Sequence, residues 1–229
     1  RLSQALLMQG KNQQVLKQLD SLIEAVELFN DPTTTADFLL VKGQAYRDSK
    51  QYDTAMAALM SSLEAAEKGN DKVLLKRISS DLADVLLHLN GFDKAELLLD
   101  QSYRFFKKRK MSFNQLLVKM DMAKLARKRG EDKKAIQLWS QACENGNLEG
   151  CNQLAALYDE EYGKYKDRKK ALSFYQKSCE GKSMEGCYNL GLFYNKGKGT
   201  SPNKQKAIQY FEKACNNKHA KGCHNLGLA

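Results

Sequence analysis

The chain has 229 residues, with 37 Lys and Arg against 27 Asp and Glu, for a net charge of +10. Only 2 prolines interrupt it, so long helices are allowed, and no run of about 18 uncharged apolar residues is available to span a bilayer. With 3 histidines in all, acid–base catalysis has few groups to draw on.

A small or β-branched residue followed by an apolar one recurs along the chain. It stands at Val15-Leu16, Ala55-Met56, Ala95-Glu96-Leu97, Ala135-Ile136, Ala171-Leu172 and Ala207-Ile208. The first three steps are 40 residues and the last two are 36. Turn signals precede most of these places, at Gly10-Lys11-Asn12, Ser49-Lys50-Gln51, Asn90-Gly91 and Gly130-Glu131. Glycine there is suited to the left-handed conformation that ends a helix. A second small residue lies 12 ahead of its anchor at Gly43, Ala83 and Ala123, and 16 ahead at Ala155 and Gly191. Small residues let two backbones approach, and apolar residues surround them at helical spacing, as at Leu82, Val85, Leu86 and Leu89.

Each unit therefore reads as a helical hairpin. One hairpin cannot bury its apolar face alone, so neighbours must stack. The expected fold is all-α: a right-handed α-solenoid of stacked antiparallel helix hairpins. The change of period divides it into residues 1–142 and 143–229. The chain opens on Arg1 and stops at Ala229 inside a repeat, so it is expected to be a piece of something longer.

All six cysteines follow residue 142, as the pairs Cys143/Cys151, Cys179/Cys187 and Cys215/Cys223. Each pair is 8 apart, the pairs recur every 36, and each straddles the short loop between one hairpin's second helix and the next hairpin's first. Antiparallel helices joined by a short loop set such positions side by side, which suits disulfides and an oxidising compartment, the periplasm or the exterior. Two other readings compete. Zinc would want closer cysteine spacing or histidines, and only the third pair has them, His219 and His224. Reduced cysteine could simply fill the core. No metal and no cofactor is expected.

Between Arg104 and Lys134 the chain carries 12 basic residues against Asp121, Glu131 and Asp132. The plain reading is a solvated face with helix C-terminal cations. The functional one is a docking patch for an acidic protein surface, anionic lipid or a cell-wall polymer. Nucleic acid would suit Tyr103, Phe105, Phe106 and Phe113 beside the basic run, but a disulfide-bonded chain rarely meets it. The first helices of a solenoid line its concave face, which places Gln44, Arg47, Arg77, Asp84, His88, Lys124, Arg127 and Lys128 in a partner-binding groove. Trp139 is expected in the core. Ser201-Pro202-Asn203-Lys204 matches the Ser-x-x-Lys of penicillin-interacting enzymes, but its companion motifs are absent. Ser201 reads instead as a helix cap, with Pro202 in the first helical position. The chain is therefore expected not to be an enzyme.

Two resemblances follow from these residues. Gly43, Tyr46, Tyr52 and Ala55, and again Ala83, Phe92 and Ala95, sit as in the tetratricopeptide repeat. Departures are Leu39, Ser79 and Lys119 where tryptophan is expected, no closing proline, and a period of 40 instead of 34. Gly186-Cys187-Tyr188-Asn189-Leu190-Gly191, Tyr194 to Gly199 and Lys206 to Phe211 resemble the Sel1-like repeat more closely. The paired cysteines resemble the exported cysteine-rich subgroup found in Epsilonproteobacteria. Some members of that subgroup bind β-lactams, so a cell-wall-binding enzyme is an alternative. Tetratricopeptide-like units leading into Sel1-like units also resemble the paralysed-flagellum family of motor scaffolds. That likeness implies a periplasmic scaffold helping to position stator units, with other flagellar motor proteins as partners. The alternative is a secreted protein that binds envelope or host proteins.

Overall fold

The computed structural model describes residues 12–28, 30–161, 163–216 and 219–228. Among them are twelve α-helices, in two compact units, Arg1–Glu131 and Asp132–Ala229. The turn expected at Gly10-Lys11-Asn12 begins outside the described residues.

The first unit holds α1 (Asn12–Leu28), α2 (Pro32–Asp48), α3 (Tyr52–Lys68), α4 (Lys72–His88), α5 (Phe92–Lys108) and α6 (Ser112–Lys128). Every helix has 17 residues. A left-handed residue follows each one, at Asn30, Lys50, Asn70, Asn90, Lys110 and Gly130. These stops recur every 20 residues, so the two halves of each 40-residue hairpin are equal in length. Only one of the six is glycine, which is why the expected glycine stops mark the turns so poorly. Asparagine tolerates this conformation through its short polar side chain, and lysine does so at a cost.

Each helix packs against its neighbours in sequence, and α4 also touches α2 and α6. The small anchors are the contact points: Ala55, Ala83, Ala95 and Ala123 are all fully buried. Leu40, Leu59, Ile78, Leu99 and Phe106 fill the layers between them. Two buried serines each tie together the two helices of one hairpin. Ser62 Oγ donates to the carbonyl of Ala36 at 2.7 Å and Ser102 Oγ to that of Lys76 at 3.2 Å. Asp31 and Asp71 cap α2 and α4 by accepting from backbone amides two and three residues on.

The second unit holds α7 (Asp132–Glu144), α8 (Leu148–Asp159), α9 (Arg168–Glu180), α10 (Met184–Lys196), α11 (Lys204–Asn216) and α12 (Ala220–Gly227). Its helices have 8 to 13 residues, and the loops inside its hairpins are longer. Asn147, Ser183 and His219 stand 36 apart, and each caps a helix by accepting from the amide three residues on. His219 therefore uses Nδ1 as an acceptor, and burial followed by Lys221 holds its pKa below the usual histidine range. Trp139 is buried.

Ser201 was expected to cap the helix after it. The cap is instead Asn203, whose Oδ1 accepts from the Lys206 amide at 2.9 Å, and α11 starts at Lys204. Asn203 stands 36 after Asp167, which caps α9 in the same way. Pro202 is used differently from the expectation. It lies against Gly197, where an added Cβ would come within 2.7 Å of the ring, and Gly197 is left-handed. Ser201 is exposed and makes no hydrogen bond among the described residues.

Candidate functional site

In the first unit the polar residues of α2, α4 and α6 meet. Asp81, one helical turn before Val85, receives Gln44 Nε2 at 3.1 Å and Arg47 Nη1 at 2.7 Å. Arg47 Nε also lies 3.6 Å from Asp84, and its guanidinium bonds to Asp48. Asp84 and Asp121 share the Lys124 ammonium at 3.2 and 3.0 Å, and Ser80 Oγ donates to Asp121. The links run between residues 34 to 41 apart, so each one crosses from a hairpin to the next.

Three carboxylates thus face two cations, Arg47 and Lys124. The carboxylates are well covered, with side-chain exposures of 14 to 18%. Burial pushes Asp81 up to about 6, with Arg47 and Gln44 pulling the other way. Burial raises Asp121 as well, against the pull of Lys124. Lys124 is half-buried, which disfavours its charge, yet Asp121 and Asp84 outweigh that and lift its pKa above the usual range. The ladder is one proton short of balance, and Asp81 is the group nearest to taking one up at neutral pH.

Of the eight residues expected to line the groove, four belong to this ladder: Gln44, Arg47, Asp84 and Lys124. They are held by partners within the chain. His88 is exposed and stacks on Tyr52, centroids 4.3 Å apart and planes 7° from parallel. Burial, Lys128, Lys124 and Arg47 depress its pKa, against Asp84. Arg77 and Lys128 are exposed, and Arg127 is half-buried. Asp81, Asp121 and Ser80 were missed. Asp81 and Ser80 differ from their equivalents one repeat earlier, Val41 and Leu40, whereas Asp121 repeats Asp81 at the 40-residue period but lies outside the small anchor positions that mark the repeat.

The basic segment also separates into parts. Arg129 is engaged by Asp93 and Glu96, and Arg104 by Asp100. Lys107, Lys108, Arg109 and Lys110 are all exposed.

In the second unit every cysteine is paired: Cys143–Cys151, Cys179–Cys187 and Cys215–Cys223. The Cα atoms are 4.8, 4.4 and 4.5 Å apart, at the short end of what a bridge spans. The residue before each cysteine explains this. Gly150, Gly186 and Gly222 face Ala142, Ser178 and Ala214, and a Cβ on any of these glycines would come within 2.6 to 2.9 Å of its neighbour. Small residue against glycine lets the two helices touch, and the next pair of side chains is then close enough to bond. Among the described residues no cluster of three metal-ligating side chains occurs. A second periodic feature lies over the hairpin loops. Tyr158 stacks on Phe174 with Lys170 above it, and 36 residues later Tyr194 stacks on Tyr210 with Lys206 above it.

Stacked helix pairs, with a bridge at each inter-hairpin seam of the second unit, define a helical-repeat protein whose second unit carries Sel1 repeats. The Sel1 repeat matches residues 126–147, 148–183 and 185–219, starting in the last turn of α6. No curated protein matches the chain.

Three solved structures illustrate the likeness. Helicobacter pylori cysteine rich protein B is 29% identical, over 56% of this chain and 94% of that one, with a TM-score of 0.45. The protective antigen c5321 of uropathogenic Escherichia coli, which displays an SLR fold, is 18% identical over 93% of this chain, with a TM-score of 0.53; the match spans 51% of that protein. The Rap conjugation gene regulator of plasmid pLS20, solved with the Phr* peptide, is 10% identical over 98% of this chain and 70% of that one, with a TM-score of 0.72. Folds of this class work as protein-interaction scaffolds. Three disulfides belong with an extracytoplasmic compartment, and no helix among the described residues is long and apolar enough to cross a membrane.

Proposed function

We propose that the first unit receives a segment of a protein partner along α2, α4 and α6, and that the chain acts as a periplasmic scaffold. The observation that carries this reading is the polar ladder. It occupies the Gln44, Arg47, Asp84 and Lys124 side chains internally, so that it fixes the spacing of the groove helices. Arg77, His88 and Lys128 then stand beside it as the exposed side chains a partner would meet. Two of these three are arginine or lysine, which favours an acidic partner surface. A protein of similar fold solved with a bound peptide supports a peptide-sized occupant.

The disulfide-stapled unit serves in this reading as a stiff arm. Within the periplasm, the finer reading is a flagellar motor component that helps position stator units beside other motor proteins. A secreted cysteine-rich protein that binds envelope or host proteins draws equal support from the bridges, and fractionation of cells separates the two.

Site-specific photo-crosslinkers placed at Arg77 and Lys128 test the groove. Capture of one acidic protein at both positions, lost in the Arg77→Glu/Lys128→Glu variant with helicity unchanged, is the expected result. Unchanged capture in that variant removes the groove from the mechanism.

A further inference from the structure

From Gln101 to Met120 the chain contains no Asp or Glu, and it carries Arg104, Lys107, Lys108, Arg109, Lys110 and Lys119. The middle four span the end of α5 and the turn into α6. Lys110 is left-handed there, so the four side chains fan outward from a bend. All four are exposed, and among the described residues no carboxylate pairs with any of them. Their contacts are with aromatic rings instead: the Arg109 guanidinium lies 4.0 Å from the Phe105 centroid and Lys107 Nζ 6.0 Å from that of Tyr103. Phe113 follows three residues later at 71% exposure, and Leu117, one helical turn further on, is 42% exposed. Residues at this separation share a helix face. A large apolar side chain open to water thus stands next to a cluster of cations that have no carboxylate partner among the described residues.

We infer that this turn is a contact site for an anionic lipid surface. The cations would sit among the phosphates, and Phe113 with Leu117 would enter the boundary between headgroups and acyl chains. Charge complementarity sets the sign of the ligand. The size of the patch sets its class. A stable protein interface takes about 800 Å2 from each partner, spread over some 20–30 residues. A turn of a few residues does not offer that, whereas a bilayer requires only diffuse positive charge and one or two inserting side chains. Phe113 and Leu117 lie on α6 two turns and one turn ahead of Asp121, so the patch adjoins the first-turn end of the α2, α4 and α6 face, while its four cations lie at the end of α5 and on the turn before α6.

The test uses the full chain with vesicles of phosphatidylglycerol or phosphatidylcholine, read by co-flotation. Binding to the anionic vesicles alone is expected, falling as salt rises. Replacing Lys107, Lys108, Arg109 and Lys110 together by Gln should weaken it by about three orders of magnitude, or about fivefold for each cation. Phe113→Ser should weaken it several-fold with the charge unchanged. In a Trp139→Phe background, Phe113→Trp should show a blue-shifted emission with phosphatidylglycerol and none with phosphatidylcholine. The mutated patch positions are exposed, Trp139 is replaced by another large aromatic because it is buried, and far-ultraviolet circular dichroism verifies that each variant folds. Failure of the wild-type chain to float with phosphatidylglycerol at low salt overturns the inference. So does equal flotation of the Gln variant. Retention on an immobilised polyglutamate peptide without vesicle binding would assign the patch to a protein partner and overturn it as well.

Discussion

The bridge between Cys179 and Cys187 closes a loop of 8 positions between α9 and α10, in the interior of the second unit. Replacing both cysteines by alanine removes two effects. Opening a loop this short releases chain entropy equivalent to about 2.5 kcal/mol at 25 °C. Both residues are buried, at 7% and 2% exposure, so trimming the two sulfurs adds roughly 0.8 kcal/mol for each lost group. The sum is about 4 kcal/mol, or on the order of 20 °C in Tm for a unit of this size. Trp139 is the chain's single tryptophan and lies buried in α7, so its fluorescence follows the second unit without interference from the first. The Cys215→Ala/Cys223→Ala variant is the internal comparison. Those residues are only half-buried, so its loss should approach the entropy part alone. If the Cys179→Ala/Cys187→Ala protein melts within a few degrees of the parent, the bridges are not what stiffens this unit.

Three further outcomes are expected. Asn203→Ala should destabilise the second unit by about 1 kcal/mol through the lost cap while Ser201→Ala changes it little, and the opposite order in urea melts would return the cap to Ser201. Lys50→Gly should stabilise the first unit by roughly 0.5–1 kcal/mol, because Lys50 is held at a φ of 61° where a side chain is disfavoured; a loss of stability would mean that the lysine makes up for its backbone elsewhere. Asp81 has a folded-state pKa of about 6 against 3.8, so the folded form binds more protons than the unfolded one between those values. Its contribution to stability is therefore present at low pH and lost as pH rises toward about 6. Asp81→Asn should flatten that part of the stability profile in urea melts between about pH 4 and pH 7, and superimposable slopes would refute the assignment.

The repeats were legible because they rest on small residues at buried contacts. Ala55, Ala95, Ala135, Ala171 and Ala207 are all within 1% of complete burial, so spacing alone found the hairpins. The cysteine pairs were equally plain, since their positions copy one another every 36 residues. The ladder was hidden for the opposite reason. Its members complement one another across repeats: Gln44, Asp84 and Lys124 share one position of the 40-residue period with three different residue types, and only Asp81 and Asp121 repeat in kind. The caps were half legible. Asp31, Asp71 and Asp167 begin helices as their residue type suggests, but Ser-Pro at 201–202 signals a start two residues too early, because Pro202 is taken up by Gly197. Lys50 and Lys110 show the same limit at helix ends, where the backbone turns left-handed without the glycine that would announce it.

The three bridges lie between hairpins and never inside one, and that bears on how the second unit responds to pulling. Under tension each covalent link withholds only the few residues of its own seam. The lengths from Cys151 to Cys179 and from Cys187 to Cys215 stay free to unravel. A single-molecule stretching trace should therefore show equal, foreshortened steps, one per hairpin, and reductant should lengthen each step without changing their number. Such a chain yields in measured increments and keeps its seams joined, which suits a tether that must give under load without coming apart.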